Sequence, residues 1–325
     1  MRQDWIRITP EIKLDRAAVG ELVAAFRPGC AVADITALRG GLVNTNFEVR
    51  LFDRGDPILL RLYQRDRSLA CKEVAVIRWV SGQVPVPRVL YFSEANPVTG
   101  HPYALMDWVE GQPLQAIMAR RDRRGRASLG RSIGHTLAAI HRFRFEEYGF
   151  FDADLRVTEP FGLARDDLLA YLHTCLIEGP GGARLGQDLT AALLAFVEHE
   201  GDILDERSRP CLVHADFNPS NILVRPRPGS DDWEVAAILD WEFACSGTPS
   251  LDFGNLLRPP LDRVEDFAEA LAAGYCEAGG ELPDEWQRLA RLADLFAWAD
   301  NLRRPEADPA LIEDARAIIR GTIAG

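Results

Sequence analysis

Apolar and polar positions divide the chain into a strand-rich first third and a mainly helical remainder. In the first hundred residues, alternating or continuous apolar runs predict strands at 31–40, 46–53, 58–63, 88–93 and 102–108. Apolar positions at helical spacing predict helices over about 11–26 and 69–80. This part of the sequence therefore predicts a small lobe built mostly from strands.

From about residue 111 the pattern becomes mainly helical. Candidate helices cover 128–142, 163–176, 187–204, 263–278, 284–302 and 308–320, and short strand signals interrupt them at 211–224 and 233–240. The glycine-rich stretch 179–186 lacks the Gly-Lys-Ser/Thr ending of a phosphate loop, so we interpret it as a flexible helix–helix connection. We expect an α+β protein with a small lobe at 1–106, a hinge at 107–111 and a larger helical lobe at 112–325.

Composition narrows the class of protein. With 325 residues, 47% hydrophobic and 26% charged, the chain has the composition of a globular protein of about two lobes. No apolar run approaches the roughly 18 residues of a membrane span, and the first residues lack a secretory signal. The six cysteines are scattered, which disfavours a disulfide framework or a zinc site and indicates a cytoplasmic protein.

Charge is unevenly distributed along the chain. The net charge of −12 argues against nucleic acid as a partner, because such binding needs a basic surface. Residues 1–105 carry a net charge of +3, whereas residues 106–325 carry −15. The acidic bulk of the chain therefore lies in the helical part.

The most informative motif is CLVHADFNPSNILV, at 211–224. It places Asp216 two residues after His214 and Asn221 five residues after Asp216, which is the spacing of a kinase catalytic loop. The apolar flanks put the polar residues on a loop between two short strands. We interpret Asp216 as facing a substrate hydroxyl, Asn221 as facing a metal ion, and His214 as a structural hydrogen-bonding residue.

Further residues complete a possible phosphoryl-transfer site. Asp240 follows the apolar strand VAAIL, where an oxygen ligand for Mg²⁺ is expected. Gly40 and Gly41 lie between two predicted strands, where glycine lets backbone N–H groups approach phosphates. The strand ILLRLY offers Arg61 as a phosphate-binding cation, and Glu73 on the following helix is its natural ion-pair partner.

These motifs together resemble the aminoglycoside phosphotransferase and choline kinase group, which shares the protein-kinase-like fold. The resemblance runs from about residue 35 to 258 and is carried by RGGLVNTNFEVRL, ILLRLY, KEVAVIRWV, PVPRVL, PYALMDWVEGQPL, LVHADFNPSNILV and ILDWEFACSGTPSLDFGNLLR. It implies a protein-kinase-like two-lobe fold. The C-terminal helices match this group only in character.

The resemblance implies a role for each matching position. Asp216 would accept or orient the substrate hydroxyl, and Asn221 and Asp240 would hold Mg²⁺. ATP would be held by small-lobe and hinge residues, with Met106 lining the adenine pocket and the backbone of Asp107 and Val109 pairing with the adenine edge: Gly40, Gly41, Asn44, Arg61, Glu73, Met106, Asp107 and Val109. Asp252 would be structural, capping the helix after the metal loop and bracing the catalytic loop.

The sequence departs from the group at two positions. Arg61 stands where much of the group has lysine, and arginine differs in geometry although it keeps the charge. Ala215 follows His214 where many relatives have glycine.

No motif identifies the acceptor. Glu242 should lie near the mouth of its pocket, and helical spacing would put Asp294 and Trp298 on one face, where an acid and an aromatic ring could receive a cationic amine.

We therefore expect an ATP- and Mg²⁺-dependent phosphotransferase that moves the γ-phosphoryl group to a hydroxyl of a small molecule. Amino alcohols, aminoglycoside-like compounds, sugars and homoserine-like compounds are candidate acceptors. Two alternatives stay open: a Ser/Thr protein kinase on the same scaffold, and a catalytically silent nucleotide- or metabolite-binding protein. The eleven residues between Asp240 and Asp252 are too few for a long activation segment, which disfavours a regulated protein kinase.

Overall fold

An antiparallel five-stranded sheet forms the centre of the smaller part of the protein. The computed structural model describes residues 9–38, 43–118, 120, 123–205, 208–305 and 307–325. The strands of this sheet are β1 Val32–Leu38, β2 Thr45–Leu51, β3 Ile58–Leu62, β4 Val89–Ser93 and β5 Tyr103–Asp107, in the order β1-β2-β3-β5-β4. Because β3 is central, its apolar residues Ile58, Leu60 and Leu62 are fully buried.

Two helices pack with this sheet. They are α1 Arg16–Ala24 and α2 Arg67–Val80, and each begins where an aspartate caps its first turn. Asp15 accepts a hydrogen bond from the Ala18 backbone N–H at 2.8 Å, and Asp66 accepts one from the Ser68 N–H at 2.8 Å. The cap at Asp15 explains why α1 begins later than the predicted start at residue 11.

The larger part of the protein is mainly helical. Its helices are α3 Leu114–Met118, α4 Arg123–His141, α5 Arg165–Leu172, α6 Gly181–Leu185, α7 Gln187–Glu200, α8 Pro249–Leu256, α9 Glu265–Glu277, α10 Trp286–Arg303 and α11 Pro309–Ala324. A π-helical turn, His173–Glu178, lies between α5 and α6. The interpretation of 179–186 as a flexible connection was wrong in part, because this stretch contains the short helix α6.

Short strands in the larger part position the loops of interest. They are β6 Gln112–Pro113, β7 Gly149–Phe151, β8 Val157–Pro160, β9 Cys211–Val213, β10 Ile222–Pro226, β11 Trp233–Ile238 and β12 Cys245–Gly247. They form two small sheets, with the orders β11-β10-β6 and β8-β7-β12-β9. The β9–β12 pairing and a hydrogen bond from the Leu239 N–H to the Asn221 carbonyl (2.9 Å) hold the 214–221 loop beside the 239–244 loop.

Glycines let α4 and α9 approach closely beneath these loops. A Cβ atom at Gly134 would lie 2.2 Å from the Leu271 carbonyl oxygen, and one at Gly274 would lie 2.3 Å from the Arg131 carbonyl oxygen. Only residues without a side chain fit such a contact. A second apolar core lies among α5, α7, α10 and α11 and includes Leu168, Leu193 and Trp298.

The predicted α+β organisation, with a small sheet-containing part and a larger helical part, is present in the structure. The lobe limits at 106 and 112 stay predictions. Within the described ranges, no helix combines the length and apolar character needed to cross a bilayer.

Candidate active site

Asp216 and Asn221 contact each other in the loop between β9 and β10. The Asn221 Nδ2 donates to Asp216 Oδ2 at 3.0 Å, and the Asn218 Nδ2 donates to Asp216 Oδ1 at 2.9 Å. The two amides fix the orientation of the carboxylate. Burial raises the pKa of Asp216 above its ordinary value. A carboxylate of this kind is suited to accept or orient the proton of a hydroxyl group.

His214 is held as a neutral imidazole. Its Nε2 lies 2.8 Å from the carbonyl oxygen of Leu239, which can only accept, so Nε2 carries the proton. Its Nδ1 then accepts the backbone N–H of Asp216 at 3.3 Å. His214 therefore joins the two loops of the site, and both of its ring nitrogens have partners.

Asp252 on α8 braces the loop from below. Its Oδ2 accepts the N–H of His214 and its Oδ1 accepts the N–H of Ala215, both at 2.9 Å, and His141 Nε2 lies 3.2 Å from Oδ2. Ala215 has a φ of +60°, a conformation that favours glycine, so the departure at this position places strain in the loop. The predicted capping role of Asp252 was wrong, because Thr248 precedes the first residue of α8 and the Asp252 carboxylate points to the loop instead.

The predicted contact between Arg61 and Glu73 is present. The Arg61 Nη2 lies 3.2 Å from Glu73 Oε2 and also contacts Asp240 Oδ1. The guanidinium stands over the Tyr63 ring, 5.2 Å from its centroid. The arginine therefore connects the sheet of the smaller part to the loop after β11. Its Nε is buried without a hydrogen-bond partner.

Three carboxylates converge around this arginine. Glu73, Asp240 and Glu242 each offer an oxygen, and these atoms all lie within 4.8 Å of one another. Burial raises the pKa of Glu73 to about 8 and also raises the pKa of Glu242. Like charges so close together favour either a proton or a bound cation.

This site fits Mg²⁺ by its donor chemistry. Mg²⁺ prefers oxygen ligands and is commonly bound by one or two carboxylates. Asp240 supplies a carboxylate beside Glu242, at a backbone φ of +67° that turns it away from β11. The side-chain oxygen of Asn221 accepts no hydrogen bond from the part of the chain that the structure describes, since its contacts to Asp216 use the amide nitrogen. Sequence reasoning assigned Glu242 to the acceptor mouth and did not identify it as a third acid of this cluster.

Asn44 connects the β1–β2 loop to the same cluster. Its Nδ2 donates to Glu242 Oε2 at 3.3 Å, and its Oδ1 accepts the N–H of Gln64 at 3.2 Å. Glu242 is only 5% exposed, so it lies inside the cluster and not at an open mouth. The predicted phosphate-covering residues Gly40 and Gly41 lie outside the described residues.

The predicted adenine-binding residues lie at the end of β5 and just after it. Met106 is buried in the main core. The Asp107 carboxylate accepts hydrogen bonds from Arg54 at 2.7 Å and from Arg88 at 2.8 Å. Val109 is half-buried in the segment that leads to β6. Their adenine-binding roles stay predictions.

Asp294 and Trp298 share one face of α10, as their spacing predicted, but the proposed amine-receiving role was wrong. The Trp298 Nε1 donates to Asp294 Oδ2 at 2.8 Å, and both residues are buried. Arg258 already occupies this carboxylate through its Nε (2.9 Å to Oδ2) and Nη2 (2.6 Å to Oδ1), and Asn255 adds a further donor at 2.9 Å. The Asp294 carboxylate therefore has no accessible oxygen lone pair for a substrate ammonium group. Arg258 itself was missed, and its only sequence signal is a single charge after Leu256 and Leu257.

A protein-family model described as "Phosphotransferase enzyme family" matches residues 34–292. Among curated proteins, the chain is 22% identical over 268 residues to acyl-CoA dehydrogenase family member 11 of Rattus norvegicus, covering 78% of this chain and 32% of that protein. It is 24% identical over 225 residues to acyl-CoA dehydrogenase family member 10 of Mus musculus, covering 65% of this chain and 19% of that protein. The chain thus spans a third or less of these curated relatives.

Solved structures of phosphotransferases have the same fold. The GDP complex of wild-type aminoglycoside 2′-phosphotransferase-IIIa matches with a TM-score of 0.71 at 18% identity, covering 96% of this chain and 99% of that one. An aminoglycoside phosphotransferase APH(4)-Ia mutant in ternary complex with AMP-PNP and hygromycin B matches at 0.68 and 20% identity, covering 94% and 97%. A putative fructosamine-3-kinase from Thermobifida fusca matches at 0.62 and 19% identity, covering 95% and 100%. The predicted protein-kinase-like fold class is confirmed.

Proposed function

The chain belongs to the phosphotransferase enzyme family and is a small-molecule kinase, and from this premise we propose that it transfers the γ-phosphoryl group of ATP to a hydroxyl group of its acceptor with the help of Mg²⁺. One observation carries the proposal. Asp216 is held by two amides on a loop that is hydrogen-bonded to the residue before Asp240, through the Leu239 N–H and the Asn221 carbonyl (2.9 Å), and Asp240 contacts Arg61 of the smaller part. We infer that Asp216 receives the hydroxyl proton and that Arg61 binds phosphate charge in the same site.

The reaction divides between the two sides of this site. Asp216 orients the acceptor hydroxyl and takes its proton as the oxygen–phosphorus bond forms, and ADP leaves as the bond to the β-phosphate oxygen breaks. Mg²⁺ held by Asn221 and Asp240, with Glu242 beside them, would neutralise phosphate charge. His214 and Asp252 keep the loop in place and do not exchange protons with the acceptor.

The nucleotide would be held by the smaller part of the protein. Arg61 would contact the α- and β-phosphates once phosphate oxygens replace its contact with Asp240. Asn44, Gly40 and Gly41 would cover the phosphates from the β1–β2 loop. Because similar structures contain either GDP or AMP-PNP, ATP and GTP should be compared directly.

The acceptor is tested with a panel. Aminoglycosides and fructosamines enter it because similar proteins carry those names, and hydroxyacyl thioesters enter it because the curated relatives are named for acyl-CoA dehydrogenases. ADP release is measured for each compound with ATP or GTP, and with Mg²⁺ or EDTA. ADP formation that depends on both an acceptor and Mg²⁺ would support the proposal.

A matched pair of variants tests the role of Asp216. Asp216→Asn keeps the shape of the side chain and removes its charge, so kcat should fall by roughly 10²–10⁴ while nucleotide binding changes little. Asp154→Asn is the control, because Asp154 is exposed in the turn between β7 and β8. Near-full turnover by Asp216→Asn, or an equal loss in Asp154→Asn, would contradict the assignment.

A further inference from the structure

Arg258 lies just past the end of α8 and is held rigidly. Its side chain is 9% exposed. Its Nε and Nη2 both donate to Asp294, and its Cζ lies 4.7 Å from the centroid of the Trp298 ring. A planar guanidinium that is hydrogen-bonded along one edge and stacked on an aromatic ring has a fixed orientation.

The third nitrogen of this guanidinium is available for a ligand. Nη1 donates to no residue in the described ranges, although Nε and Nη2 both have partners. The side chain keeps a small exposed fraction, and Nη1 is not completely enclosed by protein atoms. A desolvated arginine that keeps free N–H groups is a strong donor to an oxyanion.

Arg258 is near the reacting end of the acceptor. The same short helix that precedes it carries Asp252, which binds the backbone of His214 and Ala215 immediately before Asp216. The charge of Arg258 also acts on the pKa of Asp216 in the direction opposite to burial, which agrees with this placement. A molecule whose hydroxyl contacts Asp216 therefore has Arg258 within reach of its other groups.

We propose that Arg258 Nη1 binds an oxyanion of the phosphoryl acceptor, so that the acceptor is a hydroxyl compound that also carries a carboxylate or a phosphate. The proposal rests on the proposed function for the identity of the reacting hydroxyl. Asp294 acts as the positioning residue, because it holds Nε and Nη2 and turns Nη1 toward the acceptor. This reverses the amine preference expected from the sequence, since the acid of that pair serves an arginine and not a substrate.

Pairs of acceptors that differ in the oxyanion measure how much this group contributes to binding and turnover. Glycerate is compared with glyceramide, and homoserine with homoserine amide, for a carboxylate. Glycerol 3-phosphate is compared with glycerol for a phosphate, and ethanolamine and choline represent amines. For the matching oxyanion we expect kcat/KM to exceed that of the analogue without the oxyanion about ten- to hundredfold, the range of a charge-assisted hydrogen bond.

The variant is Arg258→Lys. It leaves a cation for the buried Asp294 but cannot reach both that carboxylate and the acceptor with a fork of N–H groups. Arg258→Ala is unsuitable alone, because it leaves a buried carboxylate unpaired. Arg258→Gln combined with Asp294→Asn removes both charges and serves as the second variant. Arg126→Lys is the matched control, since Arg126 forms a similar two-nitrogen contact with Asp266 between α4 and α9.

In the Arg258 variants, KM for the oxyanion acceptor should rise about ten- to hundredfold, while KM for the analogue without the oxyanion should change less than about twofold. The melting-temperature rise with Mg-ATP should stay as in the wild type. Preference for amines, equal losses for acids and amides, or weaker Mg-ATP binding in Arg258→Lys would each overturn the proposal.

A binding measurement keeps this test separate from the kinase activity. The same oxyanion compounds are added without nucleotide, and thermal stabilisation of the wild type is compared with that of Arg258→Lys. An oxyanion compound that stabilises the wild type but not Arg258→Lys would support the Arg258 site. If no acceptor gives ADP formation at the same time, the proposed function is refuted. If no oxyanion compound binds or is phosphorylated, the Arg258 site is refuted, and turnover of any other acceptor leaves the proposed function in place.

Discussion

Replacing Asp252 by asparagine should weaken the protein and its catalytic loop together. The carboxylate is completely buried and accepts from the backbone of His214 and Ala215, with His141 Nε2 at 3.2 Å. Asparagine has one oxygen and one NH₂ group, so whichever way it turns, the NH₂ group faces at least one N–H donor. One hydrogen bond to a charged acceptor is therefore lost, and one buried N–H is left unsatisfied.

The magnitude follows from this count. A hydrogen bond to a charged group contributes about 1.5–3 kcal/mol, so Asp252→Asn should lower the free energy of unfolding by about 2–3 kcal/mol. Asp252→Ala removes every acceptor and should cost about 3–5 kcal/mol, the range for breaking a buried polar network. The loss should be larger in the alanine variant because it leaves more than one donor without a partner.

Urea unfolding followed by tryptophan fluorescence measures these differences, with Asp154→Asn as the exposed control. ADP release measured below the unfolding transition then reports on the catalytic loop. We expect kcat to fall in Asp252→Asn even where the protein is folded, because Ala215 keeps its strained φ of +60° only while its N–H is held. An unfolding free energy within about 0.5 kcal/mol of the Asp154→Asn control would refute the bracing role.

Three further predictions concern nucleotide binding, the pH dependence of stability and the packing of α4 against α9. Mg-ATP at about 100 times its Kd should add about 2.7 kcal/mol to the free energy of unfolding, and Arg61→Lys should reduce that gain; an unchanged melting temperature at millimolar Mg-ATP would contradict it. Burial raises the pKa of Glu73 from 4.5 to about 8, so folding favours its protonated form. The resulting stabilisation of the ligand-free protein is fully present below pH 4.5 and is lost as the pH rises toward 8. Stability measured between pH 5 and 8 should therefore fall more steeply in the wild type than in Glu73→Gln, and equal slopes would refute it. Gly134→Ala should destabilise by about 1–3 kcal/mol, whereas Gly20→Ala in α1, with nothing within 4 Å of its added Cβ, should not; equal melting temperatures would refute the close helix contact.

Local patterns were sufficient to predict which of the proposed site residues lie together. Asp216 and Asn221 were predicted to lie together from their spacing, because a short loop between two strands places nearby residues together whatever surrounds it. Asp240 was predicted from its position after an apolar strand. The contact between Arg61 and Glu73 was predicted because a central strand and the helix after it pack in few ways. The long helices were also found, since an amphipathic period repeats over several turns.

The shortest strands are too short to show a periodic pattern of apolar residues in the sequence. The hairpin β7–β8 and the strand β12 have three or four residues each, and pairing with distant strands forms them, not local preference. Their absence from the prediction is therefore a consequence of length.

The sequence by itself determined the chemistry of phosphoryl transfer, because that chemistry depends on residue types at close spacing. Only the tertiary structure decided what surrounds it. Glu242 forms a hydrogen bond with Asn44, which is 198 residues away in the sequence, and Asp294 contacts Arg258 because α8 packs against α10. A buried charge takes its role from the partner that folding brings to it, so Asp294 holds an arginine where its sequence suggested an amine site.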